Sequence, residues 1–166
     1  MSDPLILTLK LDAETFARFD GLRREHFPAP LNHLPAHLTL FHHLPGGERD
    51  AVERDVRAAA PSGPLVLQVT GLRLLGRGVA FELVSPELKA LREGLARRWA
   101  PWLTPQDKQG LRPHVTIQNK VTPDEARALR DRLASTFTPF TARGEALLLW
   151  RYLGGPWQQE AEIPFG

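Results

Sequence analysis

The chain has 166 residues, 42% of them apolar and 24% charged, enough for one hydrophobic core; this excludes a disordered or fibrous chain, and no apolar run approaches the roughly 20 residues of a membrane span. With no cysteine, a disulfide framework, a thiol nucleophile and a thiolate zinc site are excluded, so any metal would need His and carboxylate ligands. The 21 Lys plus Arg against 19 Asp plus Glu leave a net charge of only +2, too small to name a polyanionic partner, and the excess of Arg over Lys is as well explained by solvated surface charge as by phosphate binding.

In chain order, Met1-Ser2-Asp3-Pro4 lacks the positive n-region of a signal peptide, which makes the cytoplasm the expected address. Leu5 to Leu11 read as a strand, and Asp12 as the N-cap of a helix carrying Phe16, Phe19 and Leu22 on its apolar face. Pro28, Pro30 and Pro35 break that helix, and the stretch between Pro28 and Pro35 is the candidate for a loop that closes over a site. Ala36 to Leu44 form a second predicted strand. Gly46-Gly47 then open a helix with Val52, Val56 and Ala60 on one face, ended by Pro61 to Pro64. Leu65 to Leu75 and Val79 to Val84 are strands of a hairpin turning at Gly76-Arg77-Gly78.

The same order then repeats. Ser85-Pro86 starts a helix with Leu88, Leu91, Leu95 and Trp99, and a strand is predicted from Pro113 to Val121. Thr122-Pro123-Asp124-Glu125 has the form of a capping box, leading a helix with Ala126, Leu129 and Leu133; Phe140 to Tyr152 is a strand, and a short tail strand ends near Ile163. The reading is a single α+β domain over residues 1–166, with pseudo-repeats of about 4–76 and 78–152.

The central strands of the two halves, 77 positions apart, carry one pattern twice: His37-Leu38-Thr39-Leu40 and His114-Val115-Thr116-Ile117. Chance gives roughly 0.06 such tetrads in a chain of this composition. Because strand residues two apart share a face, each half presents one imidazole and one hydroxyl away from its apolar pair. Two such pairs facing each other across a groove suit a general acid and a general base, with hydroxyls placed for the nonbridging oxygens of a phosphate. A single strand histidine is more often structural, but a second copy at the corresponding position argues for function.

Pro35-Ala36-His37-Leu38-Thr39-Leu40-Phe41 and Arg112-Pro113-His114-Val115-Thr116-Ile117 resemble the signature of the 2H phosphoesterases, two His-x-Thr/Ser-x motifs in a duplicated fold. The nearest likeness is to their branch of 2′-5′ RNA ligases and RNA 2′,3′-cyclic phosphodiesterases. The resemblance implies two pseudo-symmetric lobes of antiparallel sheet with helices outside and the active-site groove between them. It further implies that His37 and His114 are the acid-base pair and that Thr39 and Thr116 hold phosphate, without metal, ATP or another cofactor. The implied substrates are RNA ends or small nucleotides with a 2′,3′-cyclic phosphate, opened to the 2′-phosphate, with 2′-5′ joining as the reverse reaction; a monomer without membrane attachment is expected. Phe41-His42-His43-Leu44-Pro45-Gly46 departs from the Phe-Leu-Gly run of many ligase-like members, and Asn119 stands where an Arg is often seen.

Alternation nominates further groove residues: Phe41 and His43 on the first strand, Gln118 and Lys120 on the second. Phe41 is a candidate base stacker and equally a core aromatic; His43, Lys120 and Arg112 are candidates for RNA phosphates and equally solvated charges. Trp150 and Trp157, with Trp102, are candidates for a base platform, whereas Trp99 continues a core stripe. Two rival readings are a metal hydrolase using His33, His37, His42 and His43, and a non-catalytic RNA-binding module. Pro35 disfavours a helix that would pair His33 with His37, and adjacent His42 and His43 point to opposite faces of a strand. No Gly-x-x-x-x-Gly-Lys-Ser/Thr loop is present for an ATP-dependent ligase.

Overall fold

The computed structural model describes residues 2–166. Strand β1 (Leu5–Leu11) buries leucines 5, 7, 9 and 11 on one face, the period-two pattern of a sheet against a core. Helix α1 (Ala13–His26) starts where expected, because the Asp12 carboxylate accepts from the Thr15 N–H at 3.1 Å, satisfying a donor the helix cannot. Its buried positions are Thr15, Phe19 and Arg23, a strict four-residue spacing that turns the predicted core residue Phe16 outward. Strand β2 (Leu38–Leu44) follows. Helix α2 (Arg49–Ala59) begins after a single 3₁₀ turn and buries Val52 and Val56, while Ala60 lies just beyond it.

Strands β3 (Leu65–Leu74) and β4 (Val79–Val84) form the expected hairpin. Its turn needs both glycines: Gly76 has φ 83, and a Cβ on Gly78 would lie 2.0 Å from the Gln118 carbonyl oxygen. Helix α3 (Pro86–Arg98) is capped by Ser85, whose hydroxyl accepts from Leu88 N–H at 3.2 Å. A one-turn helix α4 (Pro105–Lys108), which the periodicity did not reveal, precedes β5 (His114–Gln118). Strand β5 stops short of Val121 because Lys120 turns the chain at φ 63. Helix α5 (Pro123–Thr136) is capped by Thr122, and β6 (Phe140–Tyr152) and β7 (Trp157–Pro164) complete the chain. No helix among the described residues is long and apolar enough to cross a membrane.

All seven strands belong to one antiparallel sheet, ordered β2-β1-β6-β3-β4-β5, with β7 on β6. Exchanging β1 with β4, β2 with β5 and β3 with β6 leaves the six-strand pairing scheme unchanged, so the β3–β6 pair sits on a pseudo-two-fold axis. Each half therefore borrows its third strand from the other. Long β6 makes this possible: along one edge residues 140–144 pair with β3 and 146–152 with β7, and along the other residues 144–151 pair with β1. Helices cross the division too, since α1 packs on β5, and Phe19 of α1 stacks on Phe81 of β4 at 4.8 Å. Although they end the strand order, β2 and β5 touch. That contact brings the two duplicated motifs together.

Candidate active site

The same local hydrogen bond holds both motif histidines. His37 Nδ1 lies 2.8 Å from the carbonyl oxygen of Pro35, and His114 Nδ1 lies 3.0 Å from that of Arg112. A carbonyl oxygen only accepts, so each Nδ1 carries the proton and donates it. Each Nε2 is left free of that bond, able to accept a proton when the ring is neutral and to donate one when it is charged. A proline stands just before each motif, Pro35 two residues ahead of His37 and Pro113 one residue ahead of His114.

Both rings are held toward the neutral form. Burial pushes His37 down to about 4, against the Pro35 carbonyl, with Arg23, His42 and His114 adding repulsion of the charged form. Burial also lowers His114, against the Arg112 carbonyl, with Arg73, His42 and Arg112 as the cations that disfavour protonation. The two motif rings and His42 therefore lie within electrostatic reach of one another.

Beyond the threonines the alternation fails, in the same way on both strands. Thr8 pairs with Thr39 but Leu7 with Phe41; Ala80 pairs with Thr116 but Val79 with Gln118. One extra residue follows each motif threonine, a bulge that rotates the following side chains by one position. This corrects four expectations. Phe41 is 0% exposed, edge-on to Trp99 at 5.0 Å and under the Arg92 guanidinium at 4.2 Å, so it is core and stacks no base. Gln118 is likewise buried, its Oε1 without a partner among the described residues. His43 lines neither cavity of the site, and Lys120 stands exposed on the turn after β5. Of the nominated binders, Arg112 remains at the site, where it lines the cavity of His114 and pairs with Glu82 at 3.4 Å.

His42, passed over by the alternation, takes the groove position instead. It shares a 340 Å³ cavity with Thr39, His114, Arg73 and Arg112. Asp107 on α4 fixes it: the buried carboxylate accepts from the backbone N–H groups of His42 and His43 at 2.8–3.0 Å and from His42 Nδ1 at 3.2 Å. Burial raises the Asp107 pKa, but these donors outweigh it and the net position is below the ordinary value. A depressed carboxylate contributes stability that is full above its unfolded pKa of about 4 and is lost as pH falls through the folded value. The acid limb of a Tm against pH curve should therefore flatten in Asp107→Asn, and an unchanged limb would contradict this assignment.

Two buried arginines tie the halves together. Arg92 of α3 donates to the carbonyls of Leu40 (3.1 Å), Gln109 (3.2 Å) and Asp107 (2.6 Å), and Arg23 of α1 donates to the Thr116 carbonyl at 3.0 Å. The first helix of each half thus holds the motif strand of the other.

A second cavity, of 570 Å³, opens beside His37 and is mainly apolar, with Trp150, Trp157, Phe16 and Leu148 in its wall. Trp157 lies 4.8 Å from the His37 ring, and Trp150 is anchored by its indole N–H to Thr8 Oγ1 at 2.9 Å. Of the other tryptophans, Trp99 is core, its indole donating to Asp55 at 3.0 Å, and Trp102 packs against the core. His33 is exposed on the rim of the Trp157 cavity, and among the described residues no three His, Asp or Glu side chains are grouped to hold a metal.

Comparison with known proteins bears on this geometry. The model of the 2′-5′ RNA ligase superfamily matches residues 11–156, a span that includes both motif strands. The fold is similar to that of E. coli LigT complexed with 3′-AMP, with a TM-score of 0.65 at 17% identity over 99% of both chains. It is similar also to a crystal structure of a phosphoesterase, with a TM-score of 0.62 at 19% identity over 99% of both chains. For TT0787 of Thermus thermophilus the TM-score is 0.60 at 18% identity, over 98% of this chain and 97% of that one. No curated protein matches the chain. Since the superfamily match takes in nearly the whole duplicated fold and both His-x-Thr-x strands, the chain belongs to the 2′-5′ RNA ligase superfamily of 2H phosphoesterases and is itself a phosphoesterase.

Proposed function

We propose that the protein is a cyclic phosphodiesterase that opens RNA or nucleotide 2′,3′-cyclic phosphates to the 2′-phosphate, by acid-base catalysis between His37 and His114. The observation that carries this reading is the matched donation of both Nδ1–H groups to carbonyls two residues upstream, which frees two Nε2 atoms at the two motif strands, β2 and β5, that touch. His37, the ring pushed to about 4, is neutral and serves as the base. Its Nε2 takes a proton from water as the water oxygen attacks phosphorus in line. The bond from phosphorus to the ribose O3′ breaks, and His114 Nε2–H protonates that oxygen. Thr39 and Thr116 donate to the nonbridging oxygens as their charge grows. With a ribose 5′-hydroxyl in place of water, the same transfers form a 2′-5′ linkage.

Activity rises as His37 loses its proton near pH 4 and falls as His114 loses its own, below 6.5. The kcat/KM profile is thus a bell with its maximum on the acid side of 6.5. A profile flat from about pH 5 to 9, with chemistry rate-limiting, would contradict the pairing.

The apolar cavity at Trp157 supports a nucleobase beside the reacting phosphate, where base-aromatic stacking contributes about 1–3 kcal/mol. Trp157→Ala should raise KM for a cyclic nucleotide on the order of tenfold. It should also move the acid limb of the profile upward, because Trp157 supplies part of the burial that depresses His37. Unchanged KM would remove the base from this cavity.

A further inference from the structure

The two cavities differ in chemistry. The one beside His37 is apolar; the one beside His114 is lined by His42, Arg73 and Arg112, with the buried Arg92 behind them. A single reacting phosphate, already provided with two imidazoles and two hydroxyls, does not call for that set. Arg92 spends its guanidinium on three carbonyls and is part of the wall. Arg73 and Arg112 each pair with Glu82, at 3.6 and 3.4 Å. One carboxylate shared between two guanidinium groups leaves most of their five N–H donors apiece free for a further anion.

His42 makes the cavity a built site. Its Nδ1–H is fixed on Asp107, so in the charged ring Nε2–H is the donor left for an anion, and its backbone is held by the same carboxylate. An aspartate 65 positions away, 1% exposed in its side chain, orients an imidazole that is 43% exposed and lines the groove. A solvated surface histidine would need no such support.

We propose that His42, Arg73 and Arg112 form a second anion subsite within this cavity, beside the Thr39 and His114 that meet the reacting phosphate, and that it binds the phosphate on the 5′ side of the ribose whose 2′,3′-cyclic phosphate reacts. The inference rests on the phosphodiesterase reading above and narrows it. The preferred substrate is a nucleotide with a 5′-phosphate or an RNA end, where the internucleotide linkage supplies that group, and a nucleoside 2′,3′-cyclic monophosphate is a minimal one. His42 and Arg112 are specificity residues in this scheme.

Equilibrium titration with two product-like probes, adenosine 2′-monophosphate and adenosine 2′,5′-bisphosphate, reads the subsite without turnover. The wild type should bind the bisphosphate about tenfold or more tightly, as one or two charge-assisted hydrogen bonds provide. In His42→Asn, which keeps an N–H for Asp107 but removes Nε2, and in Arg112→Gln, at an exposed position, the ratio should fall toward one. Arg127→Gln removes an exposed cation on α5 and should leave the ratio unchanged. Equal binding of the probes by the wild type, or a ratio that survives in both cavity variants or falls equally in Arg127→Gln, would overturn the subsite. Hydrolysis of adenosine 2′,3′-cyclic monophosphate, assayed in parallel, tests the phosphodiesterase reading separately: its absence would sink that reading whatever the binding ratio.

Discussion

Replacing His37 or His114 by alanine should lower kcat/KM for a 2′,3′-cyclic nucleotide by about 10²- to 10⁴-fold, the range that a positioned proton donor or acceptor contributes. The fold should survive either change. Each ring gives one hydrogen bond to a local carbonyl, and losing such a bond costs about 1 kcal/mol, a fall of roughly 2–4 °C in Tm for a domain of this size. The double variant should be little worse than either single one, because donor and acceptor serve one transition state and their effects do not add. Steady-state kinetics beside thermal melts check all three statements. Either alanine variant with more than about a tenth of wild-type kcat/KM would contradict the assignment of that ring.

The largest effect on stability should come from Arg92→Met. Methionine keeps much of the packing over Phe41, but the carbonyls of Leu40, Gln109 and Asp107 lose their donor. At about 1–3 kcal/mol for each buried acceptor left unpaired, a total near 3 kcal/mol is expected even if water recovers one or two of them. That corresponds to a fall in Tm of roughly 6–12 °C. Activity should fall as well, since the loop that Arg92 holds carries Asp107 and leads into the Arg112 carbonyl that orients His114. Arg23→Met should cost less, because Arg23 serves one strand carbonyl and the Asn32 side chain. Equal Tm changes in the two variants would argue against counting carbonyls as the measure of these residues.

What the sequence revealed is what local chemistry dictates. Asp12, Ser85 and Thr122 cap helices because a side-chain oxygen within three residues satisfies a helical N–H. The His-x-Thr pairs were legible because period-two alternation holds through the threonine, and duplication lifted the pattern above chance. Its failure one residue later was not legible. The bulges after Thr39 and Thr116 arise where the motif strands pair with β1 and β4, and the carboxylate that holds His42 lies on a one-turn helix in the other half. The pattern therefore named Phe41 and His43 where the fold places His42. Arg92 and, for its bond across the halves, Arg23 were hidden for a related reason, since the partners there are backbone carbonyls, which leave no trace in side-chain spacing.

Two histidines acting on a cyclic phosphate are the centre of the proposed mechanism, and one assay addresses them directly. An RNA oligonucleotide ending in a 2′,3′-cyclic phosphate is incubated in excess EDTA with wild type, His37→Ala and His114→Ala, and the phosphate position in the product is assigned by phosphorus NMR. EDTA-resistant conversion to the 2′-phosphate by the wild type, with loss of turnover in both variants, is the expected result. Turnover that EDTA abolishes and added metal restores, or that persists without either imidazole, would contradict the two-histidine mechanism.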